Sequence, residues 1–168
     1  SIMPLENYSI IESTLREGEQ FSTATFSTAQ KLNIAHQLDA FGVEMIETTS
    51  PCASPRSDSD TRTIVNAGLN ARILTHIRCN IDDAKRALDT GVHGIDVVIG
   101  TSPQLMQHSH GKNIRQIIDL AEEVLGYIHE QSPDVILRFS TEDSFRSRES
   151  DLLRVYLAIA DMGYVDRL

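Results

Sequence analysis

The sequence predicts an α/β fold with a parallel sheet, arranged as part of a (β/α)8 TIM barrel. Three observations predict it. Five short apolar or β-branched runs alternate with five helix-like stretches, the signature of a parallel sheet. A glycine closes most of those stretches: Gly42, Gly68, Gly91 and Gly163. Each run also ends on charged or polar residues, and parallel strands deliver such ends to one face. The runs start about 32 residues apart. Eight units at that spacing need about 250 residues, the usual size of such a barrel. The 168 residues hold five units and the start of a sixth. Residues 1–168 are therefore expected to form one incomplete barrel domain. A doubly wound sheet could be complete at this length, but the first turn, Glu12 to Gln20, has no GxGxxG.

The elements follow in order. The first strand is expected at Tyr8–Ser13. Ala29–Leu38 reads as a helix with Leu32, Ala35 and Leu38 on one face, stopped at Gly42. The second strand is Val43–Thr48. A helix over Ser57–Ala67 ends at Gly68. The third strand is Ala71–Ile77. The helix Ile81–Thr90 carries Ala84, Ala87 and Leu88 on one face, and Asp82 and Asp83 favour its positive N-terminal end. The fourth strand is Gly94–Ile99. Asn113–Gln131 is the longest helix, with Ile114, Ile117, Ala121, Val124, Leu125 and Ile128 at helical spacing and Pro133 after it. Val135–Ser140 is the fifth strand and Ser150–Met162 the fifth helix. A sixth strand starts at Tyr164.

Composition narrows the function. Fifteen Lys and Arg against twenty-four Asp and Glu give a net charge of −9, which argues against a nucleic-acid partner held through phosphates. Cys52 and Cys79 are too few for a disulfide framework and fit a reducing compartment. No apolar run approaches ~20 residues, so no membrane span is expected. Ser1–Glu6 shows no leader pattern, and the missing initiator Met fits a chain that begins inside a longer product.

The strand ends carry the functional signal. The first gives Glu12, Arg16, Glu17 and Gln20, and the second Glu47 and Thr49. The third gives His76 and Arg78, the fourth Asp96, Thr101 and Ser102, and the fifth Arg138, Ser140, Glu142 and Asp143. Charges inside apolar strands are costly unless paired or bound to a ligand. Arginines and carboxylates in one mouth suit a dianionic acid held by guanidinium forks and a hard metal held by carboxylate. Other features read as structure. His108-Ser109-His110 has metal-ligand spacing but stands alone in a loop. His36 and His129 sit on helices. Cys79 lacks a His partner pattern and reads as packing.

Glu12-Ser13-Thr14-Leu15-Arg16-Glu17-Gly18-Glu19-Gln20-Phe21 resembles the opening strand of the acyl-CoA-condensing barrel enzymes, the isopropylmalate, citramalate and homocitrate synthases. Glu17, where most of them have Asp, is similar to the homocitrate synthase branch. Ile46 to Pro51, Thr75 to Cys79, Gly94 to Ser102, Ser109 to Lys112 and Arg138 to Arg146 extend the likeness over nearly the whole chain. The resemblance implies condensation of acetyl-CoA with 2-oxoglutarate to homocitrate and CoA, the first step of lysine biosynthesis by the α-aminoadipate route. It implies Glu17 as a ligand to a divalent metal (Zn, Mn, Fe, Mg or Co), and Arg16, Gln20, His76, Asp96, Arg138 and Ser140 as substrate-binding residues. Glu47 and Glu142 would be catalytic, Glu47 in the acid–base group that works on the acetyl methyl. It further implies lysine as a feedback inhibitor near Asp96 and a homodimer at full length. The family completes its metal site with an HxH pair on a later strand and binds acetyl-CoA through a C-terminal region. Neither is in these residues, so the chain alone is expected to bind metal weakly and turn over nothing. The compartment is expected to be intracellular, with cytoplasm, nucleus and mitochondrion left open. Two alternatives remain: a sister synthase using another 2-oxo acid, and a truncated, non-catalytic regulatory paralogue.

Overall fold

The computed structural model describes residues 11–12, 26–100, 113–142 and 149–166. In chain order these hold β1 (Ile11–Glu12), α1 (Thr28–Phe41), β2 (Met45–Glu47), α2 (Pro55–Val65) and β3 (Arg72–Arg78). There follow α3 (Ile81–Asp89), β4 (Gly94–Gly100), α4 (Ile114–Gln131), β5 (Ile136–Glu142) and α5 (Glu149–Met162). All five strands are parallel and lie in the order β1-β2-β3-β4-β5. Each strand thus sits beside its predecessor, as successive staves of a barrel do. A doubly wound sheet reverses its order part-way, and this one does not.

Local chemistry sets the helix ends. Ser27 and Gln30 form a capping box at the start of α1, and Asn113 and Gln116 form another at α4. Ser54 caps α2, with Pro55 in the first turn, so α2 begins two residues before the expected Ser57. It also ends earlier, at Val65. Gly42, after α1, takes φ 96°, a left-handed position in which its N–H reaches back to the carbonyls of Leu38 and Asp39.

Alternate strand residues divide the sheet into two faces. Ile46, Ile73, Ile77, Ile95, Val97, Ile99, Leu137 and Phe139 belong to one core with Ala35, Ile64, Ala84, Ala87, Val124, Leu125, Val155 and Ile159 of the helices. The residues between them on each strand take the other face, the interior of the barrel wall. There the register aligns Glu47, Leu74, Gly94 and Ile136 in one row and His76, Asp96 and Arg138 in the next. Gly94 is required in the first row. A Cβ there would collide with Leu74 and stand 3.3 Å from Ile136 Cβ.

The chain turns back onto the sheet after α5. The Asp166 N–H donates to the Leu137 carbonyl at 2.9 Å, and the Leu137 N–H donates to the Asp166 carboxylate at 2.9 Å. A sixth strand is expected to start at Tyr164, but Tyr164 to Asp166 are coil and a bend, not strand. Leu153 and Leu157, one turn apart on α5, are exposed. Among the described residues no helix is long and apolar enough to cross a membrane.

Candidate functional site

The interior row His76–Asp96–Arg138 lies on three adjacent strands in direct register. Strand spacing of about 4.8 Å puts the outer two roughly 10 Å apart. Ser140 follows one interior position beyond Arg138, and its hydroxyl donates to the Asp96 carboxylate, 2.8 Å from Oδ1 and 3.0 Å from Oδ2. Asp96 is only 6% exposed, so the bond meets part of the cost of burying a carboxylate. Glu47 ends β2, 5% exposed, on the same face. Glu142 ends β5, exposed and opposite Gly100.

Six expected site residues therefore share one face: Glu47, His76, Asp96, Arg138, Ser140 and Glu142. Arg16, Glu17 and Gln20 lie outside the described residues, as do Thr101, Ser102, the His108–His110 pair and Asp143. Among the described residues no three His, Cys, Asp or Glu side chains gather as a metal requires. The six alone thus offer no metal centre.

Arg78, grouped with the strand ends by sequence, has another task. Its guanidinium pairs with Asp83 through Nε and Nη2, both at 3.0 Å, and its N–H donates to the same carboxylate at 3.2 Å. Those bonds hold the guanidinium above its usual pKa. Asp83 is thus more than a first-turn acid: it closes the β3–α3 loop, with its own N–H capped by Asn80 at 2.8 Å. Cys79 is buried in the core, as expected of a packing residue. Burial pushes the Cys52 thiol up, away from a reactive thiolate.

A buried ion pair escaped the sequence reading. Lys31 is 5% exposed, and its Nζ donates to Asp60 Oδ2 at 2.6 Å. Asp60 Oδ1 accepts from Thr28 Oγ1 at 2.5 Å. The expected inner face of α1 was Leu32–Ala35–Leu38. The observed seam carries Lys31 and Ala35, with Ile34 and Leu38 beside them. The available signal was the i, i+4 spacing of Lys31 to Ala35, which favours the lysine only if an acid faces it.

A family model described as HMGL-like matches residues 7–166. The mitochondrial homocitrate synthase of Penicillium rubens is 54% identical over 159 residues, covering 95% of this chain and 33% of its own length. The mitochondrial enzyme of Schizosaccharomyces pombe is also 54% identical, with 38% of its length covered. The cytosolic isozyme of Saccharomyces cerevisiae is 52% identical, with 37% covered. The chain thus spans about a third of the length of these curated relatives. Among solved structures, the HMG-CoA lyase of Bacillus subtilis superposes with a TM-score of 0.75 at 17% identity, over 98% of this chain and 58% of that one. The likeness extends the parallel staves to a partial α/β barrel. On the strength of the matched residues, the chain belongs to the HMGL-like family.

Proposed function

We propose that this chain is the N-terminal part of a homocitrate synthase, which condenses acetyl-CoA with 2-oxoglutarate and releases homocitrate and CoA. The observation that carries the reading is the polar row His76–Asp96–Arg138, with Ser140 and Glu47, on the interior face of apolar strands. Relatives named homocitrate synthase, at 52–54% identity, support it.

In this reading the Arg138 guanidinium forks onto a carboxylate of the 2-oxo acid. His76 directs a hydrogen bond to the same substrate, and the Ser140 hydroxyl turns to it from Asp96 when substrate binds, with Arg16 and Gln20 from the first strand end. Asp96 meets the far end of the substrate, where lysine would compete as a feedback inhibitor. Glu47 works in the acid–base group that removes a proton from the acetyl methyl, and Glu142 supports the site that holds the 2-oxo acid. The methyl carbon then adds to the keto carbon, and water hydrolyses the thioester. A divalent metal with Glu17 as one ligand belongs to this reading, and its remaining ligands are not among the described residues. The full-length protein is proposed to be an intracellular homodimer, and relatives bear both mitochondrial and cytosolic names.

The test is CoA release by the purified full-length protein with acetyl-CoA and 2-oxoglutarate. Arg138→Gln is expected to raise KM for 2-oxoglutarate roughly 10–100-fold, the factor carried by a charged hydrogen bond of about 1.5–3 kcal/mol. CoA release with pyruvate or 2-oxoisovalerate in place of 2-oxoglutarate would establish a sister synthase instead. Release with none of the three would leave the non-catalytic paralogue. The 168-residue chain alone is expected to release no CoA.

A further inference from the structure

Thr61 lies in α2 beside Asp60 and is 1% exposed, yet its hydroxyl has no hydrogen-bond partner among the described residues. A buried hydroxyl without a partner is rare in native proteins and calls for an explanation. Thr61 lines a cavity of about 10 Å³ together with Lys31, Thr48, Thr49, Ser57, Asp60 and Ile64. That volume admits the centre of one water molecule. The wall is mostly apolar in area, but it includes the Thr61 hydroxyl and the polar side chains of Lys31, Ser57 and Asp60, which can serve as a water's partners. The occupant's chemistry follows from the walls. Lys31 brings a positive charge, and both Asp60 oxygens already accept, from Thr28 and Lys31. A second cation is therefore disfavoured, whereas water can both give to and accept from the Thr61 hydroxyl.

The cavity is placed directly behind the end of β2. Thr48 and Thr49, which line it, immediately follow Glu47. On the sheet side this segment is held by β3: the Thr48 N–H donates to the Leu74 carbonyl at 2.8 Å, and the Thr75 hydroxyl lies 3.4 Å from the carbonyls of Thr48 and Thr49. On the helix side it meets the Lys31–Asp60 cluster. We propose that Thr61 holds one buried water in this cavity, and that the hydrated cluster is a positioning device for Glu47. The positioning half rests on the acid–base role proposed for Glu47.

The experiment uses the full-length enzyme. A crystal structure fine enough to show ordered water should hold a single water against Thr61 Oγ1, and Thr61→Val, which keeps the side-chain shape, should lack it. Thr61→Val should also lower kcat severalfold and shift its pH profile, with KM for the 2-oxo acid nearly unchanged. Lys31→Met should do the same more strongly, and Thr61→Val remains informative if that variant does not fold. A dry cavity in the parent, or a Thr61→Val enzyme with the parent kcat and pH profile, would overturn the proposal. Glu47→Gln separates the two claims. If it keeps the parent kcat, the acid–base reading fails and the positioning claim with it, while the density still decides the water.

Discussion

The imidazole of His93, just ahead of β4, accepts the Ile73 N–H through Nδ1 at 2.8 Å. Burial first, and the nearby charge of Arg72 second, hold its pKa below the ordinary 6.5. Protonation would turn Nδ1 into a donor facing a donor. The sign follows: just below pH 6.5 the unfolded chain binds the proton and the folded one does not. Stability is therefore full above that pH and declines as pH falls, levelling off below the lowered folded value. Denaturant midpoints measured between neutral pH and about pH 5 should show this loss, and His93→Asn, whose side-chain oxygen can still accept, should flatten it. Single residues were only partly legible in the sequence. Asp96 and Arg138 stood out as charges inside apolar strands. Lys31, His93 and the loop-closing task of Asp83 did not, because each is defined by a partner distant in sequence or by a backbone group. Asp60 is 29 residues from Lys31, and the Ile73 amide is 20 from His93.

Gly94 shows how one element constrains its neighbours. It opens β4 between Leu74 of β3 and Ile136 of β5, in a row where two large side chains leave no room for a third. Gly94→Ala should cost about 1–3 kcal/mol through overpacking, seen as a lower denaturant midpoint with an unchanged slope. Gly42→Ala acts through a different cause, since its φ of 96° strains any L residue while nothing among the described residues stands within 4 Å of the added carbon. A stability equal to the parent's for Gly94→Ala would mean that Leu74 swings aside at no cost. Element type was well marked in the sequence, because the apolar runs and helical stripes were long and alternated cleanly. Boundaries were less so. α2 starts at Pro55 because Ser54 caps it, and its weakly apolar sequence gave the stripe little to mark.

The whole molecule follows from a simple order: every strand lies beside the one before it. That order was legible, because barrel-sized repeats and polar strand ends predicted one sheet with one functional face. The first strand's motif was the strongest sequence signal, yet its Arg16, Glu17 and Gln20 fall outside the described residues. The neighbour-by-neighbour order also bears on synthesis. A unit of about 32 residues leaves the ribosome in roughly 2–6 s at about 5–20 residues per second. Helices form in about a microsecond or less. Each unit thus has time to dock on its predecessor before the next emerges, and each strand finds its preceding neighbour already made. Stalled nascent chains of increasing length should gain protease protection in steps of one unit, and protection arriving all at once at the final length would contradict it. The mutual bonds between Asp166 and Leu137 tie the segment after α5 back to β5 in the same way, so the last unit described is docked at both of its ends.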